Sequence, residues 1–476
     1  MAPTGSLPAL LLALAVTASA AITGEVILSY RTPSAWFGSS AIALLGPSDP
    51  ILMATTWVFP PQEVLGFRPA RNATAPAWRD DTTKDLQYQT LTVSAPGAAP
   101  AAPGRIDTLA FWNRKPHGLD GTCVLVGFHS AAAPDLSLRP PPFAPGSWHY
   151  NLSADCGNVN LAVPWSRFAL SSDGATAVAW VQASSGSLTI FALEGQSGAL
   201  RWSKDVPCGA TPAACQYFLA YGADVSEDGR FVVFDEGEAG EGGGGHRLHV
   251  LNAADGTPRC APILSPGAIP AHLSPNGDYA FTSMDSGSAG APPTGEFATW
   301  RWQEASRAYV RLPGLGRPPL PDPAGHGWIL AQYAFGCDGS STLVGVVWYD
   351  ATLLGPSVAA LYNASALGSG ALSAAHTEAL PGSQLANSGA VIDCAGAVCA
   401  AGFYTQRVGG PQPTVVVLAA GGQTFNYTTP GSVDAISLAS HPGAPGEYYL
   451  LATGCASVGV CTVPGGDMVG LRISVI

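Results

Sequence analysis

The chain has 476 residues, 57 of them glycine and 41 proline, with 11% charged and 47% hydrophobic residues. That apolar share is ample for a core, which excludes wholesale disorder, and the glycine and proline content stays below that of low-complexity chains. A net charge of −12, with 21 Lys and Arg and no basic run, excludes nucleic acid as an expected partner.

Residues 7–16, LPALLLALAV, are an apolar run shorter than the roughly 20 residues of a membrane-spanning helix. Ala18-Ser19-Ala20 follows as a small-x-small cleavage signal. Residues 1–20 are therefore expected to be a secretory signal peptide, although the first six lack Lys and Arg. No second run of membrane-spanning length follows, and the C-terminal residues carry no anchor signal. The expected product is a secreted, extracellular, soluble monomer, with residues 21–476 forming one domain.

Beyond this leader a repeat runs through the chain. A short hydrophobic run meets a tight turn and then a second apolar run, most clearly at 168–180 (FALSSDGATAVAW), 223–234 (ADVSEDGRFVVF) and 272–283 (HLSPNGDYAFTS). Asp-Gly and Asn-Gly are the dipeptides that supply the positive-φ positions of a two-residue hairpin. Weaker copies place turns at Asp49-Pro50, Asp120-Gly121, Asp338-Gly339, Ala395-Gly396 and Pro445-Gly446. The eight signals recur on average every ~57 residues, and a period of this size marks a repeat architecture.

Each strong unit carries a second pair of strand-like runs. These are 187–194 and 198–206, then 247–253 and 257–263, then 296–303 and 308–314. Four short strands per unit, with almost no helical periodicity, predict an all-β fold. The architecture expected is a single β-propeller of eight four-stranded blades, with seven as the alternative count. The last unit offers three strands before the chain ends. Residues 24–32, GEVILSYRT, precede the first unit and are expected to close the ring as the outer strand of the last blade, burying both termini.

Residues 192–202, ALEGQSGALRW, resemble the A-x-D-x-x-T-G-x-x-x-W repeat of PQQ-type quinoprotein propellers. Ala192, Glu194, Ser197, Gly198 and Trp202 fall on its marked positions. Residues 250–260 keep Gly256 but put Asn252, Asp255 and Cys260 at the acidic, hydroxyl and Trp positions, and 417–426 keeps little beyond Gly422. The Ser-x-Asp-Gly copies also look like WD40-type propellers, without their Gly-His and Trp-Asp signature. The resemblance implies the fold, with the Gly in the turn between third and fourth strands and the Trp wedged between sheets. Quinoprotein dehydrogenases bind their quinone against a vicinal disulfide, with Ca²⁺ on acidic and amide side chains. No adjacent Cys pair stands here, so the redox activity is not implied.

Ten cysteines and four N-x-[ST] sequons, at Asn72, Asn151, Asn363 and Asn426, agree with an oxidising, glycosylating route. Loop-stapling disulfides are expected for Cys394 with Cys399, Cys455 with Cys461, Cys208 with Cys215, and Cys123 with Cys156. Cys260 and Cys337 are left over. No C-x2-C spacing points to a metal, and no cofactor is expected. The nine His are scattered, no nucleophile elbow, P-loop or dinucleotide fingerprint occurs, and one propeller of this length leaves no room for an appended hydrolase domain.

The candidate ligand-binding segment is DEGEAGEGGGGH, 235–246, where Asp235, Glu236, Glu238 and Glu241 cluster in a Gly-rich loop between the second and third strands of unit four. A Ca²⁺ site is the alternative to a solvated loop, although the EF-hand spacing is absent. Asp285 and Glu296 bracket the corresponding loop of unit five, and loop aromatics such as Trp328 could stack on sugars. The functional expectation is a glycosylated binding module for an extracellular protein or glycan. The alternative is a propeller-type enzyme, a glycan hydrolase or lyase or a quinone- or metal-dependent oxidoreductase, with carboxylates or ligands converging in the central funnel.

Overall fold

The computed structural model describes residues 21–33, 36–44, 50–57, 64–69, 75–80, 87–93, 109–114, 123–128, 147–153, 168–182 (less 173), 188–206 (less 196), 223–236, 246–265, 272–283, 294–320 (less 319), 327–338, 341–350, 357–364, 376–380, 383–384, 392–405, 413–456 (less 442) and 464–476. Among these residues there is no helix that could cross a membrane, and the regular structure is strand.

The strands form antiparallel four-stranded blades in chain order. Sheet one runs from Trp36–Leu44 to Trp78–Asp80, sheet two from Gln87–Val93 to Ser147–Ser153, and sheet three from Phe168–Leu170 to Leu200–Val206. Sheet four runs from Ala223–Val225 to Ile263–Ser265, sheet five from His272–Leu273 to Ala308–Gly316, and sheet six from Trp328–Asp338 to His376–Leu380. Sheet seven pairs Ile392–Ala395, Val398–Gly402, Val415–Ala419 and Thr424–Tyr427. Sheet eight combines Ala435–Ser440, Glu447–Cys455 and Gly466–Val475 with the N-terminal strand Ile22–Thr32. That strand keeps register from Ile22 opposite Val475 to Thr32 opposite Gly466, with one bulge at Ile27. It is an edge and not a buried element: Val26 is 47% exposed and Ile476 76%.

Neighbouring sheets pack face on face through apolar side chains. Val178 and Trp180 of sheet three meet Val232 and Phe234 of sheet four, Phe281 and Phe297 of sheet five meet Trp348 and Tyr362 of sheet six, and Val417 of sheet seven meets Leu450 and Leu471 of sheet eight. Sheet eight in turn packs on sheet one, where Tyr449 and Met468 meet Phe37, Leu52 and Phe67. The first strands of successive sheets approach one another, so the sheets fan out from a common line. Inner strands such as Ser357–Asn363, Val398–Gly402 and Val415–Ala419 thus bury both faces and read as apolar runs, whereas outer strands such as Leu200–Val206 stay half-exposed.

The strong turns are longer than two-residue hairpins. Five residues separate the strands at 171–175, 226–230 and 274–278, and Gly174, Gly229 and Gly277 adopt positive φ, near 70°. Each Gly N–H donates 2.8 Å to the carbonyl of the Ser three residues back, and the Ser hydroxyl accepts the N–H of the residue entering the next strand. The two-residue hairpin is at Gly396-Ala397, one residue past the expected place, with Gly396 at φ 55°. Asp120-Gly121 precedes the third strand of sheet two, Cys123–Phe128, so that signal is one hairpin out of phase. The expected strand at 257–263 is an isolated bridge at Pro258, and the outer strand of sheet four is Ile263–Ser265.

Candidate functional site

The expected acidic loop is only partly where the sequence put it. Asp235 and Glu236 end the strand Phe231–Glu236, opposite Leu248 and Arg247, because the ladder runs two residues further than the apolar run. Glu238 and Glu241 lie outside the described residues, as does Asp285. Glu296 is committed to Arg317, 2.7 Å away, and Trp328, 3% exposed, packs inside the sheet five–six core.

Of the cysteines, Cys394 and Cys399 stand opposite each other across the Gly396 hairpin and are disulfide-bonded, with Cα atoms 4.1 Å apart. Cys455 is also disulfide-bonded. Cys260, half-buried, is a free thiol. Cys123 begins a strand of sheet two, and Cys156, Cys208, Cys215 and Cys461 lie outside the described residues. Among the sequons, Asn426 is exposed on the outer strand of sheet seven, where its Nδ2 donates 3.2 Å to Glu378 Oε1, and Asn363 is half-buried. Asn151 is within Ser147–Ser153, and Asn72 lies outside the described residues.

The residues of the quinoprotein-like repeat do structural work. Gly198 takes φ 70° in the turn between third and fourth strands, and its N–H donates 2.8 Å to the Glu194 carbonyl. Trp202 Nε1 donates 3.0 Å to the Ala253 carbonyl of sheet four, and the ring covers Gly256, where a Cβ would stand 2.8 Å from it. One sheet on, Cys260 occupies the Trp position, and Arg259 fills the seam instead. Its guanidinium lies 3.7 Å over the Phe231 ring and 4.0 Å over Trp302, and Nη1 donates 2.7 Å to the Gly277 carbonyl.

Titratable side chains gather on the first strands. His272 Nδ1 of sheet five is 2.6 Å from Asp224 Oδ2 of sheet four. The edge of the imidazole meets Tyr333 of sheet six, with centroids 5.0 Å apart. Gln332 Oε1 accepts the Ile392 N–H of sheet seven at 3.2 Å. Asp393 accepts two main-chain N–H bonds, from Cys394 at 2.9 Å and from Leu438 of sheet eight at 2.8 Å. Ser437 and Ser40 hydroxyls, 2.9 Å apart, link sheet eight to sheet one. On the other side, the Glu227 carbonyl accepts the Ser172 N–H of sheet three at 2.8 Å. A polar belt therefore passes from sheet three through sheets four to eight and on to sheet one.

Charge in this belt is frustrated. Burial pushes the Glu227 carboxyl up to about 7, and the negative charges of Asp393, Asp224 and Asp228 push the same way, against a hydrogen bond from Ser172. Burial likewise raises Asp393 to about 6, with the Leu438 and Cys394 N–H bonds favouring the charged form. Among the described residues no three His, Cys, Asp or Glu side chains come together as a metal site.

Asp224, Glu227, His272 and Asp393 went unrecognised in the sequence. Asp224 and His272 each stand two residues before the turn serine, Ser226 or Ser274, so the repeats set in register flag that column as facing one line.

No protein-family model matches the chain, and no curated protein does. Among solved structures it is similar to a prolyl endopeptidase at 13% identity and a TM-score of 0.45, over 89% of this chain and 54% of that one, so it spans about half that protein's length. It is similar to the quinohemoprotein alcohol dehydrogenase ADHIIG of Pseudomonas putida HK5 at 9% identity and a TM-score of 0.46, over 94% of this chain and 76% of that one. It is also similar to the Cps50 (Swd1) β-propeller domain of Myceliophteria thermophila at 9% identity and a TM-score of 0.44, over 94% of this chain and 99% of that one.

Proposed function

We propose that the chain is a secreted recognition module, an eight-bladed β-propeller closed by its N-terminal strand, whose binding site is the axial end at Asp224, Glu227, His272 and Asp393. The observation that supports this reading is the approach of Asp224 and Glu227 of sheet four, His272 of the adjacent sheet five and Asp393 of sheet seven, groups far apart in the sequence. Such a set complements a basic group, so the partner proposed is an extracellular protein presenting Lys or Arg. Residues 1–20 are removed on export, and Asn426 carries a glycan.

The test is affinity of the purified secreted chain for Arg-containing and acidic peptides at pH 7.5. Binding of the Arg peptides, at least tenfold weaker in Asp224→Asn, supports the reading; equal binding of both peptide sets sinks it. N-terminal sequencing that begins before residue 21 sinks the export proposal. An acid–base enzyme is the second reading, favoured by the His272–Asp224 contact beside a carboxyl poised near 7, the pattern of an oriented base and a protonated acid. It calls for turnover of an oligosaccharide panel that His272→Ala abolishes.

A further inference from the structure

Among the described residues, the buried polar atoms without a hydrogen-bond partner belong to Trp180, Trp328, Gln423 and Thr453, all neutral, and to one charged side chain. That side chain is Arg68, 4% exposed, whose Nε and Nη2 both lack an acceptor. Arg68 follows the third strand of sheet one, Val64–Phe67. Leu65 and Phe67 face the core shared with sheet eight, so strand alternation sends Gly66 and Arg68 to the opposite face, towards sheet two. Pro69 holds the backbone of Arg68 extended, which keeps it in that alternation. The register of Leu52 opposite Phe67, carried one residue on, sets Arg68 beside Ile51, which is fully buried. An arginine side chain does not shed its charge in proteins, so this burial is not relieved by losing a proton. A buried charge left without a partner is among the costliest features a fold can carry. Carboxylates are not scarce, since the chain has 33 Asp and Glu against 21 Lys and Arg.

Other arginines of the chain show what this edge of the guanidinium takes. Arg31 donates from Nε and Nη2 to the two oxygens of Asp467, at 2.6 and 2.8 Å. Arg472 donates from the same two nitrogens to Glu447 Oε2, at 3.0 and 2.6 Å. Arg230 and Arg317 present Nε to Asp228 and Glu296, each at 2.7 Å. The Nε–Nη2 edge is a fork of two N–H groups that matches the two oxygens of a carboxylate. We propose that Arg68 anchors a second ligand site, in the seam between sheets one and two, for a small molecule bearing a carboxylate held by both N–H groups of that fork. The ligand supplies the counter-charge, and the apolar floor at Ile51 strengthens the pairing by keeping water away. The 4% of Arg68 that stays exposed, where the third strand leaves the sheet, gives the approach from solvent. This site has the opposite charge preference to the acidic cluster of sheets four, five and seven, and it stands independently of the basic-partner reading.

The experiment is thermal unfolding of the purified chain at neutral pH, in a buffer free of carboxylates and phosphate. The variants are Arg68→Met, Arg68→Lys and, as a control at an exposed arginine, Arg311→Met. Sodium acetate, glucuronate, phosphate and chloride are added at equal ionic strength. Without added anion, Arg68→Met is expected to melt above the wild type, because an apolar side chain of similar length replaces an unmatched charge. Acetate and glucuronate raise the wild-type Tm with concentration, as ligands of the folded state do, and move Arg68→Met no further than chloride does. Arg68→Lys keeps the charge but loses the fork, so its affinity for glucuronate by titration calorimetry falls about tenfold. Arg311→Met follows the wild type throughout. An Arg68→Met that melts below the wild type without added anion overturns the site, since the charge is then matched within the chain. Carboxylate shifts no larger than that of chloride, smaller than that of phosphate, or retained in Arg68→Met overturn it as well.

Discussion

Sheets three to five and sheets six to eight meet the same demand, holding successive sheets face on face around a line, by different chemistry. In the first group the junctions are made by the turns. Ser171, Ser226 and Ser274 each bind the N–H of the residue five on, at 2.9–3.1 Å, and the turns bond to each other through Ser172, Glu227, Asp228 and Pro275. Trp202 and Arg259 then seal the outer part of each seam. In the second group the turn of sheet seven has two residues and that of sheet eight six, and neither carries such a serine. The junctions are aliphatic and aromatic faces, such as Val344, Trp348 and Tyr362 in one and Val398, Leu450 and Leu471 in the next, with a disulfide under one hairpin. A repeat survives in the sequence where the turns bond across the seam; where apolar faces and single polar contacts hold it, many apolar residues serve and the repeat fades.

The sharpest break of this comparison is at sheet eight, which is assembled from both ends of the chain. Removing residues 21–32 strips the edge of Gly466–Val475 and takes Arg31 from Asp467, to which it donates at 2.6 and 2.8 Å. Asp467 is 6% exposed, so its charge is left buried and alone. No folded, secreted product is expected, and secretion with an unchanged melting temperature would show that sheets six to eight need no closing strand. Next comes Trp348→Ala. The ring is fully buried between sheets five and six, and Nε1 donates 2.9 Å to the Gly295 carbonyl. A loss of about 3–5 kcal/mol in denaturant unfolding is expected. A loss below about 1 kcal/mol would mean that face packing does not hold this junction. Third, Cys394→Ser with Cys399→Ser opens a very short loop, and chain entropy assigns it about 2 kcal/mol. An unchanged transition would reduce that hairpin to the same self-sufficiency as the serine turns.

Legibility in the sequence followed the same division. The runs at 187–194, 198–206, 296–303 and 308–314 became strands nearly to the residue, because an apolar run on each side of a polar turn leaves a local mark; the positive-φ residue is Gly198 in the first turn and Arg307 in the second. Asp120-Gly121 misled because a turn signal does not say which hairpin of a blade it closes. The site was the harder part. Asp235, Glu236, Glu238 and Glu241 drew attention as a run, whereas Asp224, His272 and Asp393 stand singly among apolar neighbours, some 50 to 120 residues apart. What unites them is position in the blade, a property of the folded sheets. The Ser-anchored column makes two of them visible once Leu170-Ser171, Val225-Ser226 and Leu273-Ser274 are set in register; Asp393 has no serine to align it.

The finest test separates backbone strain from seam packing with two alanine variants. Gly422 has φ +81° and open space where a Cβ would be, so Gly422→Ala, in a sheet without the tryptophan seam, carries strain alone, about 1 kcal/mol. Gly256 has nearly the same backbone, φ +71°, but its Cβ would sit 2.8 Å from Trp202 Cδ2 and displace the ring that donates to the Ala253 carbonyl. Gly256→Ala should therefore cost about 1 kcal/mol more than Gly422→Ala in parallel denaturant unfolding. Repeating the pair in a Trp202→Phe background resolves the origin of that excess. The indole hydrogen bond is then gone, and a smaller ring faces the new methyl, so the difference should shrink. If both variants cost the same with Trp202 present, the ring yields without penalty, and the seam between sheets three and four is held by its turns alone.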